Sequence, residues 1–97
     1  MTTRRPILHA RLDTGDTVDD PSEDALFLLL EDIDTQDALW IIVEKAGTDE
    51  VYAQCIRLED GSYQVERRLG DESTHETVQV ADMRTAHERL TSWAFTL

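Results

Sequence analysis

The dipeptide Asp60-Gly61 constrains the fold of this chain more than any other feature. A two-residue Asp-Gly loop favours the type I′ turn, whose twist matches that of the two strands it joins. The flanking segments, 51–58 and 63–69, carry β-branched and aromatic residues at strand spacing. Closed on two residues, the hairpin sets Glu59 opposite Ser62, Leu58 opposite Tyr63, Ile56 opposite Val65, Gln54 opposite Arg67 and Tyr52 opposite Leu69. That register gathers Tyr52, Ile56, Leu58, Tyr63, Val65 and Leu69 on an apolar face. Ala53, Cys55, Arg57, Gln64, Glu66 and Arg68 fall on a wet one, and the clean separation supports the pairing.

Upstream of the hairpin, Asp20 is placed to cap a helix, Pro21 suits its first turn and Glu23 completes a capping-box pattern. Leu26, Leu29, Leu30 and Ile33 recur at i, i+3, i+4 and i+7, which predicts a helix over 21–33 with one buried stripe. Residues 39–43 are apolar at all five positions, which predicts a strand covered on both faces. Residues 75–80 predict a further strand with Val78 and Val80 inward. Asp82 then caps a last helix lined by Met83, Ala86, Leu90, Trp93 and Ala94, with Trp93 and Phe95 closing the core. Residues 7–12 suit an added edge strand, 13–20 read as a solvated loop, and 1–6 as a frayed end. Strands between helices indicate an α+β fold: an antiparallel meander of three or four strands with two helices packed on one face. The expected organisation is a flexible N-terminal segment over 1–19 and a single α+β domain over 20–97.

Charge narrows the partners. No Lys or Arg occurs between Arg11 and Lys45, and ten Asp or Glu residues fall between Asp13 and Asp37, in a chain of formal net charge −12. Such a field repels nucleic acid and anionic membrane and attracts cationic surfaces. A basic protein is therefore the expected partner, and neither nucleic acid nor membrane is. Asp13, Asp16, Asp19, Asp20, Asp24, Glu31, Asp32 and Asp34 are the candidate contact residues; the plainer alternative is a solvated loop and helix face. The longest apolar run, 25–30, is six residues, far short of the roughly 20 that span a bilayer. No apolar stretch follows the N-terminal arginines to make a signal peptide. Cys55 is the single cysteine, so no intrachain disulfide forms, which fits a reducing cytoplasm.

Chemical motifs are sparse, and no cofactor or metal is expected. Counted from Asp13, the third and fifth positions of a calcium loop are Gly15 and Thr17; counted from Asp32, the sixth is Asp37 where glycine is wanted. His9, His75 and His87 are scattered without zinc-ligand spacing, and His87 reads as a helix-flank residue. In the expected register Cys55 sits beside Glu66, whose charge disfavours a thiolate nucleophile. The chain holds no Gly-rich phosphate loop, paired-carboxylate motif or Ser-His-Asp arrangement, so a non-enzymatic protein is expected. One alternative is a small-anion-binding or minor catalytic pocket between sheet and helices, with Arg67 holding the anion and Tyr52 and Gln54 beside it. The plainer reading of Arg67 is a side chain with its head in water. Trp40 is an interface candidate, with core packing as its plainer role.

The stretches Asp20-Pro-Ser-Glu-Asp-Ala-Leu26, Trp40-Ile-Ile-Val-Glu44, Tyr63-Gln-Val-Glu-Arg67 and Trp93-Ala-Phe95 together resemble small acidic α+β proteins of actinobacteria. They are weakly similar to the Imm1-type immunity proteins of polymorphic toxin systems. The resemblance spans residues 20–95 and carries no site residues with it. With the acidic segment, it makes an immunity-type inhibitor or a small regulatory adaptor the expected function. The second face of 39–43 also needs cover, from 7–12, from a neighbouring strand's side chains or from another subunit, and a homodimer is a further expectation.

Overall fold

The computed structural model describes residues 7–35, 38–48 and 50–97. Asp37 and the end expected to fray, 1–6, lie outside the described residues. Six strands form one antiparallel sheet: β1 (Leu8–Leu12), β2 (Thr17–Asp19), β3 (Trp40–Lys45), β4 (Val51–Arg57), β5 (Tyr63–Leu69) and β6 (Glu76–Val80). Their order across the sheet is β2-β1-β3-β4-β5-β6. Helix α1 (Glu23–Asp34) joins β2 to β3, and α2 (Met83–Ala94) follows β6. Both helices lie on one face. Leu26, Leu30, Ile33, Ala86, Leu90 and Trp93 pack there on Ala10, Leu12, Ile41, Val43, Ala53, Cys55, Tyr63 and Val65, which are alternate strand residues. The α+β class holds, and the expected meander is β3 to β6. The expected three or four strands fall short by the hairpin β1–β2, which extends the sheet.

That hairpin corrects two expectations. The strand over 7–12 forms, but β2 lies outside it, so it is not an edge. Thr17–Asp19, expected as loop, pairs Arg11 with Thr17 and His9 with Asp19. The turn is a three-residue loop: Leu12 N–H donates to the Asp16 carbonyl at 2.9 Å and Gly15 N–H to the Leu12 carbonyl at 3.0 Å. Gly15 closes it in the left-handed region, at φ +98°.

The hairpin at Asp60-Gly61 forms with the same geometry, and there the register differs from expectation. Leu58 N–H donates to the Ser62 carbonyl at 2.8 Å and Gly61 N–H to the Leu58 carbonyl at 3.1 Å, with Gly61 at φ +85°. The loop is therefore Glu59-Asp60-Gly61, three residues instead of two. Arg57 pairs with Tyr63, Cys55 with Val65, Gln54 with Glu66, Ala53 with Arg67 and Val51 with Leu69. The shift of one residue turns every β4 side chain over. Ala53 and Cys55 point to the helices; Tyr52, Gln54 and Ile56 point away. Tyr63 and Val65 are inward as expected, while Leu69 is exposed and Leu58 lies beyond the end of β4.

Helix α1 begins two residues later than expected. Ser22, not Asp20, is its cap, accepting the Ala25 N–H at 3.1 Å. The Asp20 carboxylate instead accepts the N–H groups of Ile7 at 2.8 Å and Leu8 at 2.9 Å. Asp82 caps α2 as expected, accepting the Thr85 N–H at 2.8 Å. Trp93 is buried, but Phe95 is half-exposed and does not close the core; it lines a shallow apolar hollow with Ile7 and Pro21. No described helix is long and apolar enough to cross a membrane.

Candidate interaction surface

The acidic segment separates into residues that hold the fold and residues whose side chains make no hydrogen bond or ion pair among the described residues. Asp13 accepts the Leu39 N–H at 3.0 Å and binds the β1–β2 turn to the start of β3. Asp19 pairs with the His9 imidazole at 2.6 Å across the first hairpin. Asp20 satisfies the backbone ahead of β1, and Asp34 accepts the Tyr63 hydroxyl at 2.6 Å. Asp16 accepts from the Thr14 hydroxyl inside its own turn. Asp24, Glu31 and Asp32 show no side-chain hydrogen bond or ion pair among the described residues.

Helix α1 explains why Asp24 and Glu31 face outward, with Asp32 half-buried beside them. Burial of Leu26, Leu30 and Ile33 fixes the rotation of the helix, so Asp24, Leu28, Glu31 and Thr35 line the opposite stripe. Leu28 is 62% exposed in the middle of that stripe. Asp24, Glu31 and Asp32, at i−4, i+3 and i+4, thus flank a projecting leucine, and no Lys or Arg occurs in the helix. The first-turn acids also complement the helix dipole. Asp34, at the C-terminal end, opposes the dipole and has the Tyr63 hydroxyl as compensation.

Among the described residues, no helix covers the other face of the sheet, called the uncovered face below. Its central row runs Thr17, Arg11, Ile42, Gln54, Glu66 and Thr77 across the six strands. Arg11 pairs with Glu44 at 3.2 Å and lies 5.9 Å over the Trp40 ring. Trp40, Ile42, Gln54, Ile56 and Arg11 enclose a hollow of about 280 Å³, open to solvent. Trp40 is therefore on this face and half-buried, not in the core. The cover expected for the second face of 39–43 comes from neighbouring strands' side chains, Arg11 and Ile56 among them; Leu39 itself is exposed. Further along, Glu66 accepts from the Gln54 amide at 2.8 Å and from the Gln64 amide, with the His75 Nε2 at 3.5 Å.

Arg67 is not brought together with Tyr52 and Gln54. It stands on the helix face, its guanidinium 5.1 Å over the Trp93 ring and paired with Glu76, while Tyr52 and Gln54 are on the uncovered face. The one-residue register shift is the cause. It also parts Cys55 from Glu66: the thiol sits in the core opposite Val65, and burial pushes its pKa up to about 12. Such a thiol carries negligible thiolate at neutral pH. His9 and His75 meet partners on the uncovered face, and His87 stacks edge-on against Phe27 at 5.3 Å on the flank of α2.

The acids were legible in the sequence, and the projecting Leu28 was not. The signal for it was present in the periodicity, because Leu28 lies off the i, i+3, i+4, i+7 stripe. Compared with known proteins, the chain matches no family model, no curated protein and no solved structure.

Proposed function

We propose that this chain is a non-enzymatic acidic binding protein, an immunity-type inhibitor or small regulatory adaptor that docks a basic protein partner on the solvent face of α1. One observation carries the reading: carboxylates of Asp24, Glu31 and Asp32, with no side-chain partner among the described residues, flank Leu28, which is 62% exposed. A leucine flanked by like charges supplies an apolar anchor inside an electrostatic rim, the arrangement of interface cores and their edges. The field steers a cationic partner during encounter, and the buried leucine then slows its release. Basic segments of matching chemistry would present Lys or Arg around a small apolar recess.

Affinity capture on the immobilised chain from its native host tests the proposal. The expected result is a basic protein retained at low salt and released as salt screens the field. Leu28→Ala and Glu31→Lys should each weaken retention, the second mainly by slowing association. Capture of neutral or acidic proteins alone, insensitive to salt and to both substitutions, would overturn it.

A further inference from the structure

We propose that β6 pairs edge to edge with β6 of a second copy of this chain, related by a two-fold axis through Val78. The sheet has two edges, and they are unequal. β2 is three residues long and is flanked by Asp16 and Asp20, whereas β6 runs five residues, Glu-Thr-Val-Gln-Val. Natural edge strands are usually blunted by Pro, Lys, a bulge, a covering helix or shortness. β6 has neither Pro nor Lys, and its pairing with β5 is unbroken from Tyr63↔Val80 to Arg67↔Glu76. Among the described residues, no hydrogen bond beyond the β5 ladder reaches the backbone of Glu76–Val80. Helix α2 packs over β4 and β5, which leaves Val78 and Val80 half-buried at the margin of the core.

The sequence of β6 suits its own copy. Antiparallel pairing about Val78 sets Val78 against Val78, Thr77 against Gln79, and Glu76 against Val80, so no like charges oppose each other. Directly opposed residues share a face, so Val78 and Val80 of both copies meet on the helix side and the polar Thr77 and Gln79 meet on the uncovered side. Charge favours this edge as well. Each copy carries −12, and most surfaces would bring carboxylates together. β6 offers only Glu76, already paired with Arg67. Helix α1 packs over β3 and β4, away from β6, so its solvent face stays open in the pair.

Sedimentation velocity on the full chain across a range of concentration and salt tests this. The expected result is a mass rising from monomer to dimer with concentration, and rising further with salt, because screening relieves repulsion between the copies. That salt response is opposite in sign to the loss of a basic partner, so the two proposals fail separately. Val80→Glu opposes Glu76 of the second copy with a like charge twice per pair, and should weaken self-association roughly tenfold. Val80→Lys opposes it with a cation and should preserve or strengthen the dimer. Val78→Cys under mild oxidation should give a covalent dimer through the axis, without competition from the buried Cys55. Circular dichroism confirms folding of each variant. A monomer at every concentration and salt, a dimer indifferent to Val80→Glu, or no covalent dimer from folded Val78→Cys would overturn the proposal.

Discussion

The Tyr63 hydroxyl donates a 2.6 Å hydrogen bond to Oδ1 of Asp34, tying the first residue of β5 to the last residue of α1. Tyr63 is buried, and its ring fills the core beneath the helix. Tyr63→Phe keeps the ring and removes the bond, so it should cost about 1 kcal/mol, read from urea denaturation. The bond also sets a sign at high pH. Burial first, and the Asp34 bond second, raise the Tyr63 pKa above the ordinary tyrosine range. Stability from the neutral phenol is full below about pH 10 and is lost as pH climbs through the folded value. Tyr63→Phe should therefore flatten part of the alkaline fall in stability.

Gly61 closes the central hairpin at φ +85°, and a Cβ there would meet no atom within 4 Å. The cost of Gly61→Ala is then purely one of backbone conformation, about 1 kcal/mol. Gly61→Asn should lose less, because Asn tolerates the left-handed region. Equal losses in the two variants, measured by denaturant midpoint, would place the strain elsewhere.

The two helix caps should differ in their response to acid. Ser22→Ala should cost about 1 kcal/mol at any pH, since a hydroxyl does not titrate in the range. Asp82 is a carboxylate whose pKa is lowered, first by the Thr85 backbone N–H and then by the Thr85 hydroxyl. Its contribution is present above the unfolded carboxyl value, near about pH 4, and is lost as pH falls through the folded value. Asp82→Ala should thus lower Tm at neutral pH, and the gap from the unsubstituted chain should close on acidification below that range.

The residues explain where the sequence was readable and where it was not. The alternation in β5 identified Tyr63 and Val65 as inward without ambiguity, and the spacing in α2 identified Ala86, Leu90 and Trp93. In β4 the alternation was nearly as good in either phase, because Ala53 and Cys55 are as acceptable inside as Tyr52 and Ile56. Loop length alone decided the phase, and a glycine in the left-handed region closes two- and three-residue loops alike. β2 was hidden because Thr17–Asp19 is polar and short, and it exists by pairing with β1. Yet Asp13-Thr14-Gly15 and Glu59-Asp60-Gly61 make the same loop, so the second hairpin was a clue to the first. The candidate site was half legible: charge is visible in one dimension, but which carboxylates are already used depends on long-range partners such as Tyr63 and Leu39.

Hydrogen–deuterium exchange of the chain with and without its captured partner tests the docking surface most directly. The expected footprint is slowed exchange concentrated in α1, Glu23–Asp34, which weakens as salt is raised. Protection confined to the uncovered sheet face, around Trp40, Ile42 and Ile56, with α1 exchanging as in the free chain, would contradict it.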